Sequence, residues 1–176
     1  KLIEPRILPP LDEGFRPAVL ANRHFRREAQ QVGTRAVIGL QRNGSGFTRF
    51  ETFLYPEGHP DFEANYEYVE RIVKFLLWQV GGHTVYFGGP SKIGEHLRQV
   101  YSAAGARRFD HDFMGQQIFE RPFSIVACRV DEVPPTCEAG KPLGRNLNGC
   151  RIGFDLGASD RKVSAVVDGV PVYSEE

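Results

Sequence analysis

Three short extended runs joined by two tight turns close this chain, and no other stretch restricts its folding as strongly. Residues 151–173 read RIGFDLGASDRKVSAVVDGVPVY. Apolar residues alternate along the first run, and again along the run that begins at Lys162. That is the period of a strand with one buried face. Leu156-Gly157-Ala158-Ser159 places small, turn-forming residues between them. Asp168-Gly169 is a second turn signal, because both residue types tolerate positive φ. The segment therefore folds back twice, as a hairpin with a third extended run after it.

The middle of the chain has a different rhythm. RAVIGLQ at residues 35–41 is rich in strand formers; Asn43-Gly44 follows as a two-residue hairpin signal, and a return strand spans residues 47–55. Pro56, Gly58 and Pro60 break it, and Asp61 is placed to cap a helix. Phe62, Tyr66, Val69, Ile72, Val73, Leu76 and Val80 recur at helical spacing, and Trp78 is counted with this core stripe. Gly81-Gly82 ends the helix, and HTVYF at residues 83–87 is a short strand. Gly88-Gly89-Pro90 turns it into a helix over residues 91–104, with Ile93, Leu97, Val100, Tyr101 and Ala104 as the buried stripe. These glycines spell no phosphate-loop signature, so the turn reads as a plain strand-to-helix connection. Residues 107–117, with Asp110-His111-Asp112, read as a charged surface loop, and residues 119–130 as the next strand.

Hairpin, helix, strand, helix, strand is the pattern of an α/β fold with a mixed sheet. The last two strands can join in parallel through right-handed crossovers. The expected division is an N-terminal arm with a short helix at 1–34, an α/β accessory unit at 35–130, a Pro/Gly-rich linker at 131–149, and the hairpin segment at 150–176. Because the chain begins at Lys1 and stops within an alternating pattern at Glu176, it is expected to be a piece of a longer protein.

Charge excludes some partners. The 22 basic and 22 acidic residues cancel, so no global field favours nucleic acid or an anionic membrane. Arg23, His24, Arg26 and Arg27 cluster locally and read as a solvated helix face. No apolar run approaches the about 20 residues of a membrane span. Cys128, Cys137 and Cys150 lack paired metal-ligand spacing. They are expected as reduced thiols in a cytoplasmic protein.

The terminal hairpin carries the specific chemistry. Asp155 at a strand end is placed to hold a hydrated cation, since magnesium keeps most of its waters and binds through one carboxylate plus phosphate oxygens. Gly157 leaves room for close backbone approach. The amides of residues 157–159 and the Ser159 hydroxyl can donate to phosphate. Lys162 and Arg161 add positive charge. An ordinary hairpin with an Asp and a Ser stabilising its turn explains the same residues.

DLGASDRK resembles the first phosphate loop of the actin-like ATPase superfamily, which includes sugar kinases, heat-shock chaperones and the ROK proteins. Those loops read Asp-Leu-Gly, a small residue, Ser or Thr, then often Lys two or three positions on. The flavour is that of ROK-type sugar kinases, although their loops usually read Gly-Gly-Thr-Lys; Ala158 and the Asp160-Arg161 spacer depart from that. The resemblance covers residues 150–176 alone and implies the first β-hairpin of an actin-like ATPase domain. It further implies ATP phosphates held by Asp155, Gly157, Ala158, Ser159 and Lys162, with magnesium on Asp155 through water. The implied activity of the intact protein is phosphoryl transfer from ATP to a sugar hydroxyl. No catalytic residue is assigned here, and the isolated chain is expected to be inactive with no tightly bound cofactor, because such transfer needs several elements at once. Sugar is the expected partner of the intact protein, with a homodimer left open.

VIGLQRNGS (residues 37–45) also resembles RIGFDLGAS (residues 151–159), with Gln41 where the latter has Asp155. An internal repeat would follow if the two hairpins and their following strands had the same order. The rival readings are a non-enzymatic sugar-sensing or protein-interaction α/β module with a structural hairpin, and an interaction module whose open sheet edge pairs with another chain.

Overall fold

The computed structural model describes residues 3–44, 46–137 and 146–176. The chain divides into two compact units, Lys1–Ala139 and Gly140–Glu176. The first is mixed α/β and the second is a separate antiparallel sheet.

The first unit runs α1 (Ala18–Val32), β1 (Thr34–Gln41), β2 (Phe47–Leu54), α2 (Ala64–Gln79), β3 (Thr84–Gly88), α3 (Ser91–Val100), α4 (Arg108–Asp112) and β4 (Ser124–Cys128). Its sheet has the order β2-β1-β3-β4. β1 is antiparallel to both neighbours, and β3 and β4 are parallel. The parallel pair is the one expected from the crossover argument. Ala36, Ile38 and Leu40 of β1, Val85 and Phe87 of β3, and Ile125 of β4 form one core with helix residues such as Phe25, Val73, Leu77, Ile93 and Leu97. Burying each such side chain is worth roughly 1.5–3 kcal/mol, so this layer dominates the stability of the unit.

α1 follows from Ala21, Phe25 and Ala29, four residues apart and all buried. Phe25 stacks on Tyr68 at 4.0 Å, and Tyr68 shares a 2.8 Å hydrogen bond with Thr52 of β2. The N-terminal helix thus belongs to the same core as the sheet. α2 buries Val69, Ile72, Val73 and Leu76 as its spacing predicts. Asp61, however, is not its cap: the helix starts at Ala64 with no side-chain cap, after a turn in which the Ala64 amide donates to the Asp61 carbonyl. Buried Asn65 fixes this end instead. Its Oδ1 accepts from the Tyr55 amide at 3.0 Å, and its Nδ2 donates to the Tyr55 carbonyl at 2.9 Å. Trp78, expected in the core stripe, is 49% exposed.

Three further expectations change. The first hairpin turn is longer than two residues: Gln41 pairs with Phe47, and the Arg42 amide donates to the Gly46 carbonyl, with Gly44 at φ 70°. α3 ends at Val100, because Tyr101 leaves helical geometry, and Ala104 is exposed. The expected charged loop is α4 continuing into a π-helical segment, Phe113–Phe119. Its physical basis is the i, i+4 pair Phe109 and Phe113, whose rings stack at 5.4 Å and both stack with Trp78. β4 accordingly starts at Ser124 and not at residue 119.

The other sheet face is covered by residues expected to be linker. A 3₁₀ turn, Val130–Glu132, leads to buried Val133, which clusters with Val37 and Phe47. Glycine makes the close approach feasible: a Cβ on Gly39 would lie 2.5 Å from the Phe47 ring and 2.9 Å from Val133 Cγ1. Cys137 then pairs with Phe47 through two backbone hydrogen bonds, at 2.8 and 2.9 Å. The rest of the expected linker, from 138 to 145, lies outside the described residues.

The second unit is β5 (Cys150–Leu156), β6 (Arg161–Val167) and β7 (Val170–Glu175), antiparallel in that order. Asp168-Gly169 is the two-residue turn between β6 and β7, both at positive φ. Asp168 Oδ1 also accepts from the Gly149 amide at 2.7 Å. The strand orders of the two hairpin segments differ, which leaves the likeness of residues 37–45 to 151–159 as chance similarity. The second hairpin strand of the first unit, β2, is an edge strand, whereas β6 is central.

Candidate functional site

The register of β5 against β6 places Asp155 directly opposite Lys162 and Gly153 opposite Ser164. Cross-strand partners share a face, so Asp155, Lys162 and Ser164 stand together. They line a shallow concavity of about 390 Å³ with Gly153 and Ser174. Phe154 pairs with Val163 and Ile152 with Ala165, which makes the opposite face apolar. Arg161 pairs with Leu156 and so belongs to that opposite face. The structure therefore separates Arg161 from the group in which its charge was expected.

Residues 157–160 connect the strands, with no positive φ among them. A Cβ on Gly157 would meet Asp160 Oδ1 at 2.5 Å, the far end of an exposed side chain that lies over the turn. Ala158 and Ser159 are exposed, and the Ser159 hydroxyl has no hydrogen-bond partner among the described residues. Lys162 Nζ lies 2.7 Å from Glu176 Oε1 and not against Asp155. The Asp155 carboxylate is exposed and unpaired among the described residues. The Asp155 carboxylate and the Ser159 hydroxyl are thus free, whereas the Lys162 ammonium is engaged by Glu176, and residues 157–159 are not among those that line the concavity.

The other candidates are structural. Asp110, His111 and Asp112 diverge. Asp110 is buried and accepts from Trp78 Nε1 at 2.7 Å and Lys74 Nζ at 3.3 Å, whereas His111 bonds Asp112 at 2.7 Å. Among the described residues no group of three or more His, Cys, Asp or Glu side chains is placed to hold a metal ion. Cys128, Cys137 and Cys150 are free thiols. Burial, then Glu132 and Asp131, push the Cys128 thiol upward, away from the reactive thiolate. At the Gly88-Gly89-Pro90 turn a Cβ on Gly89 would lie 2.8 Å from the Phe87 ring, so that glycine serves packing. Among the described residues no helix is long and apolar enough to cross a membrane.

The basic cluster on α1 splits. His24 and Arg27 bond each other and Arg27 pairs with Glu28, whereas Arg23 and Arg26 line a groove with Arg71, Lys74 and Arg107. Sequence spacing within α1 showed only the first two of these five cations. The signal that could have joined them is the helical register of Arg71 and Lys74 beside the buried stripe of α2.

Comparison with protein-family models, curated proteins and solved structures found no match for this chain.

Proposed function

We propose that the β5–β6 hairpin is a nucleotide phosphate loop of the actin-like ATPase kind, and that the protein takes part in ATP-dependent phosphoryl transfer to a sugar hydroxyl, as ROK-type sugar kinases do. The observation that carries this reading is the register that sets Asp155 and Lys162 opposite each other beside a turn of small residues with a free Ser159 hydroxyl. In this reading Asp155 holds hydrated magnesium through water, and bound ATP supplies the transferable phosphoryl group. The amides of residues 157–159 and the Ser159 hydroxyl donate to phosphate oxygens, and Lys162 neutralises their charge. No residue of this chain is assigned as the base or as the adenosine contact, so the chain alone binds without turnover.

The test is a calorimetric titration of Mg–ATP into the protein and its Asp155→Ala variant. The expected result is a loss of about tenfold or more in affinity, equal to about 1.4 kcal/mol, with circular dichroism unchanged. Equal affinity in the variant refutes the reading. One arrangement favours the second reading, a structural hairpin in a non-enzymatic module: Asp160 folds over Gly157, and Glu176 engages Lys162. That reading expects no Mg–ATP binding by either protein.

A further inference from the structure

Five basic side chains ring one apolar groove of the first unit. Arg23 and Arg26 come from α1, Arg71 and Lys74 from α2, and Arg107 from the turn before α4. Val19, Phe50, Ile72 and Phe75 supply the apolar walls. The groove measures about 580 Å³, the size of a small-molecule site. Its sides are tied together, since Arg71 Nε donates to Asn22 Oδ1 at 3.2 Å between α2 and α1.

Charge selects the ligand. Arg71 lies 3.4 Å from Glu67, Lys74 3.3 Å from Asp110 and Arg107 2.7 Å from Glu70. No carboxylate lies within ion-pair distance of Arg23 or Arg26 among the described residues. Two positive charges are thus uncompensated, three residues apart on one helical face. A phosphate monoester carries about −1.5 to −2 at neutral pH and suits paired guanidinium groups. The apolar walls set the other half of the ligand. Phe75 is 59% exposed and Val19 50% exposed, so large hydrocarbon surfaces stand uncovered beside the cations. A bare sugar phosphate would leave them wet.

We propose that this groove binds a phosphate monoester with an apolar or aromatic body. Every residue that lines the groove belongs to the first unit. The test uses the 176-residue chain with octyl phosphate below its micelle-forming concentration, inorganic phosphate and octanol. Binding is read by calorimetry and by emission of Trp78, the only tryptophan, which shares Asp110 with Lys74. Octyl phosphate is expected to bind one to one and more tightly than either part. The Arg23→Ala/Arg26→Ala double variant weakens it about tenfold or more, and Phe75→Ala weakens it as well. Because these side chains are exposed, circular dichroism of the variants stays unchanged. Asp155→Ala leaves octyl phosphate affinity unchanged, which separates this site from the hairpin. Four results overturn the proposal: no octyl phosphate binding, equal binding of inorganic phosphate or octanol, indifference to the double substitution, or a loss in Asp155→Ala.

Discussion

Asp110 shows how one residue can be misread from sequence and still govern a region. Within Asp-His-Asp it looks like part of a solvated loop, yet its carboxylate is buried against Trp78 and Lys74, more than thirty residues earlier. Removing it leaves an indole N–H and an ammonium without their acceptor. Asp110→Ala is expected to cost about 1–3 kcal/mol, read by urea unfolding, and to shift Trp78 emission. Unchanged stability would show that the contact is idle. His83 gives a pH effect. Burial first, then nearby Arg121, holds its pKa below the ordinary imidazole value, against a backbone hydrogen bond that raises it. Folding therefore favours the neutral ring. Its contribution is complete above the unfolded value of about 6.5 and is lost as pH falls through the depressed folded value. Urea unfolding between pH 7 and pH 5 should show stability falling with acid, with a shallower fall in His83→Gln; identical slopes would exclude the effect. That Asp155 and Lys162 lie on the two strands of one hairpin was legible, because period-two alternation marks both strands. Arg161 was not, since its neighbour Lys162 already occupies the polar face.

At the scale of elements, the periodic segments were legible and their ends were not. β1, β2 and β3 follow from short runs rich in strand formers bounded by turn residues, with β1 and β3 buried almost throughout, and α2 follows from a helical stripe that matches what is buried. The segment from Arg108 to Phe119 hid its helices because charged residues fill its first turn, and only the Phe109/Phe113 spacing reveals it. That segment ends on Glu120 in the left-handed region, at φ 52°. Glu120→Gly is expected to raise stability by about 0.5–1 kcal/mol, since a left-handed cap strains any residue with a Cβ; a lower melting temperature would contradict this. Gly39→Ala acts the other way. Its Cβ would push on the Phe47 ring and Val133, at a cost of about 1–3 kcal/mol. A normal melting temperature would mean that the covering segment shifts freely. The role of Val133 was illegible for the same reason: prolines and glycines around it resemble a linker, and only the flat, glycine-bearing back of β1 makes room for it.

Across the whole molecule the two units differ in how they are held. The first has a continuous core between sheet and helices. The second leaves Ile152 69% and Phe154 70% exposed, and three antiparallel strands without a covered face are marginal. Hydrogen exchange should be slowest in β1 and β3 and fast throughout β5, β6 and β7, and equal protection in both sheets would refute this difference. Covering the apolar face of β5 and β6 would raise protection there, as addition of a further layer does in any sheet fold. The clip at Val133 and Cys137 has a consequence for how the chain is made. Chains emerge from the ribosome N-terminus first, and all four strands of the first sheet precede these two residues. A nascent chain can therefore assemble its helical layer while Val37 and Phe47 still face water, and that back face of the first sheet is covered only once residue 137 clears the exit tunnel.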